Sequence, residues 1–266
     1  MNATSSRLAR GLAGTGLLAA LAAAGAGPDG IPARTAIASV PAGMPTFGAP
    51  LDIDHPYLPF RAGGVNVYRG TEGRARITVV EQQLPEIRDF DWQGVPVSCR
   101  IVRESKFKNG AATEISRSYF AQADDGSVWY FGEIAEPIPV VPDEEPDEPA
   151  DSESNGWVVG AVGPDDPPDT ASAPGPFLFL PANPEVGDLW KPEDLFPVVD
   201  ETDVVVRSGV TLRVPAGRFR NCIVIRETTL LDPGSETKWY APGVGLVQER
   251  GRREGLVLQA TTLRRR

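Results

Sequence analysis

Histidine occurs once in this chain, at His55, and cysteine twice, at Cys99 and Cys222. So few soft or basic ligands leave no Cys-x-x-Cys pair and no His-Glu-x-x-His helix motif. A Gly-x-Ser-x-Gly elbow and a phosphate-cradling glycine loop are also missing, so no metal and no cofactor is implied. His55 stands between Asp54 and Pro56 with Asp52 close by. That spacing is too tight for a zinc set and reads as a turn or surface position. Helical periodicity is lacking too, because no stretch of ten residues keeps an apolar spacing of three and four. Positive charge is scarce, with 26 basic against 36 acidic residues and a formal net charge of −10. A deficit of that sign argues against nucleic acid and against anionic membrane surfaces, and favours cationic or neutral ligands.

What is present begins with an export signal. Arg7 and Arg10 precede an uncharged Ala- and Leu-rich run at 11–27, followed by small-residue cleavage sites at 22–24 or 36–38. Residues 1–38 are therefore expected to be removed, leaving a periplasmic or extracellular protein without stable membrane insertion. Cleavage there takes away three arginines and one aspartate, so the mature chain is more acidic still. No cysteine lies near the cleavage region for lipid attachment, and the two arginines are not adjacent as a twin-arginine signal requires. An oxidising compartment permits one disulfide, Cys99–Cys222.

Pro, Gly and β-branched residues dominate the rest, and strand signals recur. Strands are predicted at 65–69, 76–81, 95–107, 112–121 and 127–133, then at 203–207, 210–214, 218–230, 236–241, 244–250 and 256–263. Asn109-Gly110 between two of these runs predicts a tight hairpin, since both residues tolerate positive φ. Residues 39–54 read as an N-terminal arm, 55–139 as a first β module and 177–266 as a second. Between the modules, 140–176 is acidic and proline-rich, so it reads as a solvated loop that cannot build a core. Trp157 is its exception, an aromatic that should dock on the folded body.

The two modules repeat each other. Gly94 to Ser105 superposes on Gly217 to Thr228 at a constant offset of 123, matching Gly94 to Gly217, Cys99 to Cys222 and Arg103-Glu104 to Arg226-Glu227. Period-two geometry puts Cys99, Ile101 and Arg103 on one face and Val102 and Glu104 on the other. Arg226 and Glu227 divide in the same way. The fold class that follows is all-β: two related antiparallel half-barrel modules forming one compact body. Equivalent cysteines can bridge only if they lie near the axis relating the modules.

Aromatic residues are the best ligand signal, because Trp and Tyr combine large contact area with one polar handle. The candidate ligand-binding set is Trp92, Trp157, Trp129, Tyr119, Trp239 and Tyr240. Trp92 and Trp157 fall in predicted loops. Arg103 or Arg226 joins the set if its guanidinium enters a cavity. Asp89, Asp91, Glu104 and Glu227 are the candidates for paired-carboxylate chemistry, although no spacing selects them.

The segment Val214-Pro-Ala-Gly217-Arg-Phe219-Arg-Asn-Cys222, followed by Trp239-Tyr240-Ala-Pro-Gly-Val-Gly-Leu-Val247, resembles the signature of a large, mostly uncharacterised group of exported bacterial β-rich proteins. Many of that group are lipid-anchored. Tyr57-Leu-Pro-Phe60, Val128-Trp-Tyr-Phe-Gly132 and Leu180-Pro-Ala-Asn-Pro-Glu-Val-Gly-Asp188 fit the same group. The half-barrel is distantly similar to periplasmic lipoprotein carriers, which hold acyl chains in a concave sheet. The expected function is binding of a small amphipathic or apolar molecule, or of an envelope protein, in a cavity lined by aromatics with few buried charges. The alternative is a hydrolase- or lyase-type enzyme using carboxylates in a cleft between the modules.

Overall fold

The computed structural model describes residues 37–40, 43–138, 156–231, 234–252 and 254–263. The expected export segment apart from its last two residues, and the acidic run at 142–153, lie outside the described residues. Among those described, every regular element is a strand. A two-residue strand β1 (Ala38–Ser39) comes first. A meander follows: β2 (Val65–Glu72), β3 (Ala75–Trp92), β4 (Val95–Lys108), β5 (Ala111–Gln122) and β6 (Val128–Pro137). Three short strands come next, β7 (Trp157–Val159), β8 (Ala171–Ala173) and β9 (Phe177–Leu180). A second meander closes the chain: β10 (Asp188–Leu195), β11 (Val199–Val214), β12 (Gly217–Thr228), β13 (Glu236–Ala241), β14 (Gly245–Arg250) and β15 (Glu254–Thr261).

All of these join in one sheet, in the order β1-β10-β11-β12-β13-β14-β15-β2-β3-β4-β5-β6-β7-β8, with β9 paired to β6. The repeat is visible as β3–β6 against β11–β14. Its two copies are fused through the antiparallel β15–β2 ladder. That seam is tight: a Cβ on Gly70 would stand 1.6 Å from the Gly255 carbonyl oxygen, so only glycine fits there. The sheet stays open, yet twist curls it until β10 faces β9. Indole groups hold these ends together where no ladder does. Trp190 Nε1 donates to the Phe179 carbonyl at 3.0 Å, and Trp157 Nε1 donates to Glu193 Oε1 at 2.8 Å. The half-barrel modules expected from the repeat thus form one curled, all-β body.

Local chemistry explains the hairpins. Asn109 and Gly110 both have positive φ, as the sequence predicts, and Gln93-Gly94 makes the same kind of turn between β3 and β4. β3 runs well past the predicted end at Glu81. Pro85, which has no N–H to give the ladder, sits where the register shifts between Gln83 and Ile87. Trp92 therefore ends a strand rather than lying in a loop. The predicted strands 203–207 and 210–214 are one strand, β11, bent by register shifts between Val205 and Leu212. Trp157 docks on the folded body as expected and is fully buried, but from a strand, β7, rather than a loop.

The expected Cys99–Cys222 disulfide is not formed. Both thiols are free and buried. Cys99 belongs to β4 and Cys222 to β12, with β13, β14, β15, β2 and β3 between them in the sheet. The repeat maps β12 onto β4 by a step along the sheet, so it holds its cysteines apart. Each packs in its own half as a small apolar side chain.

Candidate functional site

On its concave side the sheet forms a partly open cavity of about 120 Å³. The first module lines it with Glu81 and Gln83 from β3, Val102 and Glu104 from β4, Ser118 and Phe120 from β5, and Tyr130 and Glu133 from β6. The second supplies Phe179 from β9, Glu193 from β10, Glu201 and Asp203 from β11, Glu227 from β12, Lys238 and Tyr240 from β13, and Leu246 from β14. Strand geometry explains the set. Glu201 and Asp203 are two apart and share a face, as do Lys238 and Tyr240. Asp203 lies directly opposite Glu227 in the β11–β12 ladder. The repeat places Glu104 and Glu227 on the inner face of both modules, as their period-two assignment requires.

The expected lining of aromatics with few buried charges is overturned. Seven carboxyl groups and one ammonium line this cavity. Aromatics occupy one wall: Phe120 stacks on Tyr130 with ring centroids 4.8 Å apart, and Phe179 meets Phe120 edge-on at 4.8 Å. Acidic side chains come from both modules: Glu81, Glu104 and Glu133 from the first, Glu193, Glu201, Asp203 and Glu227 from the second. Lys238 is buried there and pairs with Glu227. Glu133 accepts from the Tyr130 hydroxyl at 2.6 Å, and Glu193 accepts from Trp157. Glu81 contacts Asn66 Nδ2 at 3.0 Å and the Tyr68 hydroxyl at 3.3 Å. Asp203 is 6% exposed, and its Oδ1 has no hydrogen-bond partner.

Burial dominates the electrostatics. It pushes the Glu81 carboxyl up to about 7, against the hydrogen bonds from Asn66 and Tyr68. Glu104 is raised well above the usual carboxylate range by burial and by neighbouring Glu81 and Glu133. Glu201 and Asp203 are raised in the same way, by burial and then by Glu227. For Lys238 burial works against the charge, but Glu227 and Glu201 overcome it and hold the ammonium well above its ordinary value. A stripe of carboxyls around one cation, in a low-dielectric wall, keeps several of them protonated near neutral pH.

The roof is the segment ahead of β2, contributing Ile53, Leu58, Pro59 and Phe60. Ile53, Pro59 and Phe60 also line a groove on the outer side, so this segment is the wall between cavity and exterior. Side chains clamp it in place. Gln83 Nε2 donates to the Pro59 carbonyl at 2.8 Å, and Arg100 Nε donates to the Leu51 carbonyl at 2.9 Å. The Arg100 guanidinium also lies over the Phe60 ring, 5.0 Å from its centroid. His55 is not on the surface but buried, with Nε2 3.0 Å from the Pro181 carbonyl and Nδ1 accepting from the Tyr57 amide at 3.3 Å. Burial lowers its pKa, which fits the neutral imidazole that this pair of contacts needs.

Of the eight residues expected to bind ligand, Tyr240 lines the cavity. Trp157 reaches it indirectly, by fixing Glu193. Trp129 is buried with its indole donating to Ser127 Oγ at 2.8 Å, and Tyr119 is buried with Arg88 Nη1 donating to its hydroxyl at 3.2 Å. Trp92 packs edge-on against Phe47, and Trp239 packs against the core. Arg103 donates to Gln82, and Arg226 is exposed. Asp89 and Asp91 are exposed and serve the β3–β4 hairpin, accepting from Ser98 and Gly94. Glu81, Glu133, Glu193, Glu201, Asp203 and Lys238 were missed. Local pattern does not mark them, because Glu201 and Asp203 sit in the run Asp200-Glu201-Thr202-Asp203, which reads as a solvent-facing strand.

Among the described residues, no group of three or more His, Cys, Asp or Glu is arranged to hold a metal ion. Comparison with protein-family models, with curated proteins and with solved structures finds no match to this chain.

Proposed function

We propose that this is an exported β-protein, periplasmic or extracellular, that binds a small amphipathic molecule inside its curled sheet. One observation carries the reading: a partly open pocket lined by both modules, in which aromatic rings stand beside acidic side chains. A polarised lining of this kind orients a ligand with an apolar body and a polar end. The size is informative. At about 120 Å³ the cavity is near the ~150 Å³ of an engineered cavity that takes up benzene, so the ligand has roughly six to eight heavy atoms.

Native mass spectrometry of protein purified without denaturation tests this. A single small molecule retained per chain is expected, and it should be lost in Val102→Phe, which fills the cavity from β4. Retention of the same molecule by Val102→Phe, or no binding to the wild-type chain of any small amphiphile supplied, 1-pentanol and n-pentylammonium included, overturns the reading.

A second reading is favoured by a specific juxtaposition, the facing carboxyls of Asp203 and Glu227 beside Glu201. Paired carboxyls with separated protonation states perform general acid–base chemistry in hydrolases and lyases. Turnover of a member of a chromogenic ester and glycoside panel, abolished in Asp203→Asn, would establish it. Equal turnover by the variant would remove it.

A further inference from the structure

Charge balance inside the cavity goes further than its shape. Seven carboxyls face one ammonium, and that ammonium is already taken by Glu227. No guanidinium lines the cavity to offset the rest. Arg103 lies on the other face of β4, engaged with Gln82, and Arg226 is exposed on the outer face of β12. Asp203 adds the decisive point. It is more than nine-tenths buried, it lines the cavity, and one of its oxygens has no donor. An unpaired buried acceptor is costly, and native interiors rarely keep one. Its natural complement is an N–H donor arriving with the ligand. Tyr240 and Lys238 are the polar groups on the neighbouring strand β13, and neither makes a hydrogen bond to that oxygen.

We infer that the ligand is a small organic cation, a primary alkylammonium whose nitrogen sits against Asp203 and Glu201 and whose carbon chain lies on Phe60, Phe120 and Phe179. The aromatic wall suits this ligand doubly, because the faces of Phe120 and Tyr130 attract cationic and polarised C–H groups as well as apolar surface. A carboxylate ligand would enter among carboxyls with no free cation to receive it. A neutral alcohol can donate to Asp203, but a charge-assisted hydrogen bond is about twice as strong as a neutral one. Buried carboxyls around the site, Glu81 and Glu104 among them, gain attraction for a positive charge as they release their protons, which its arrival favours.

The inference rests on the cavity being a ligand site, and the test separates failure of each. Isothermal titration calorimetry of the whole chain is run with n-pentylammonium, 1-pentanol and pentanoate, which are matched in size to the cavity. Pentylammonium should bind with one site and about tenfold or more tighter than 1-pentanol, and pentanoate should give no heat. Asp203→Asn should weaken pentylammonium about tenfold while leaving 1-pentanol within about twofold. Titrations in buffers of different ionisation enthalpy, on the wild-type chain, should show proton release with pentylammonium and none with 1-pentanol. Alcohol or pentanoate binding as well as the amine, no proton release, or an amine affinity unchanged by Asp203→Asn overturns the cation assignment alone. No binding by any of the three overturns both the assignment and the cavity.

Discussion

Glu81→Gln is the most informative single substitution in the cavity wall. The carboxyl has an ordinary value of 4.5 and is pushed up to about 7 by burial. Below pH 4.5 both folded and unfolded chains hold this proton, and Glu81 adds no pH dependence. Between 4.5 and about 7 the unfolded chain has released it and the folded chain has not. Stability therefore falls as pH rises through that window, by up to about 1.4 kcal/mol per pH unit. Above about 7 both states are ionised and the loss is complete. Solvent reaching the carboxyl from the cavity lessens it, so a loss of about 1–3 kcal/mol is expected.

Glutamine keeps the contacts. The Tyr68 hydroxyl has one proton and two neighbours, Glu81 Oε2 at 3.3 Å and the Leu246 carbonyl at 3.1 Å. When that proton goes to Leu246, the remaining contact needs a donor on residue 81, which the protonated acid and the amide both supply. The perturbation thus removes the titration while preserving the geometry. It also relieves Glu104, whose proton affinity Glu81 helps to raise. Urea denaturation of both proteins from pH 5 to pH 8 is the assay. The variant should gain on the wild type as pH rises, by about 1–3 kcal/mol across the range. Parallel stability curves would refute the claim that a buried, protonated Glu81 faces the cavity.

Other consequences are simpler. Lys238→Met leaves Glu227, only 3% exposed, without its cation, so urea denaturation at pH 8 should show a loss of about 3–5 kcal/mol; unchanged stability would contradict the ion pair. Ellman titration in denaturant without reductant should count two thiols per chain, and none should react in the native protein, where burial also pushes the Cys99 thiol up. An intramolecular bridge found by mass spectrometry would contradict the strand order. His55→Ala removes the clasp to Pro181 and should cost about 1–3 kcal/mol while speeding proteolysis at residues 50–62; a cleavage rate equal to wild type would show that the roof is held without it. Since burial lowers the His55 pKa from 6.5, the stability it provides is full above pH 6.5 and falls as acid charges the ring.

How far the sequence could be followed depended on how local each signal was. The Asn109-Gly110 turn, the long strands on either side of it and their copies after Gly217 were legible because period-two alternation and turn chemistry act over a few residues. The same alternation put Glu104 and Glu227 on one face, and they do line the cavity. Strands β7 to β10 were not legible. Their stretch is rich in Pro, Asp and Gly, and it is ordered by distant contacts such as Trp157 to Glu193 and Trp190 to Phe179. The acidic cavity was missed for a related reason. A carboxylate on a strand ordinarily marks the solvent face, and only the curl of the whole sheet turns Glu201 and Asp203 inward. The disulfide expectation rested on a single cysteine pair and an oxidising compartment, and it failed because the fused sheet puts five strands between β4 and β12.

The central claim is that the acid-lined cavity is where this protein meets its ligand. The carboxyl carbons of Glu and Asp, followed by ¹³C NMR during titration with n-pentylammonium, test it most directly. The expected result is that Asp203 and Glu201 move, with loss of their protons at neutral pH, while surface carboxyls such as Glu136 and Asp194 stay fixed. Shifts confined to the surface carboxyls, or Asp203 and Glu201 already titrating in the ordinary carboxylate range in the free protein, would contradict it.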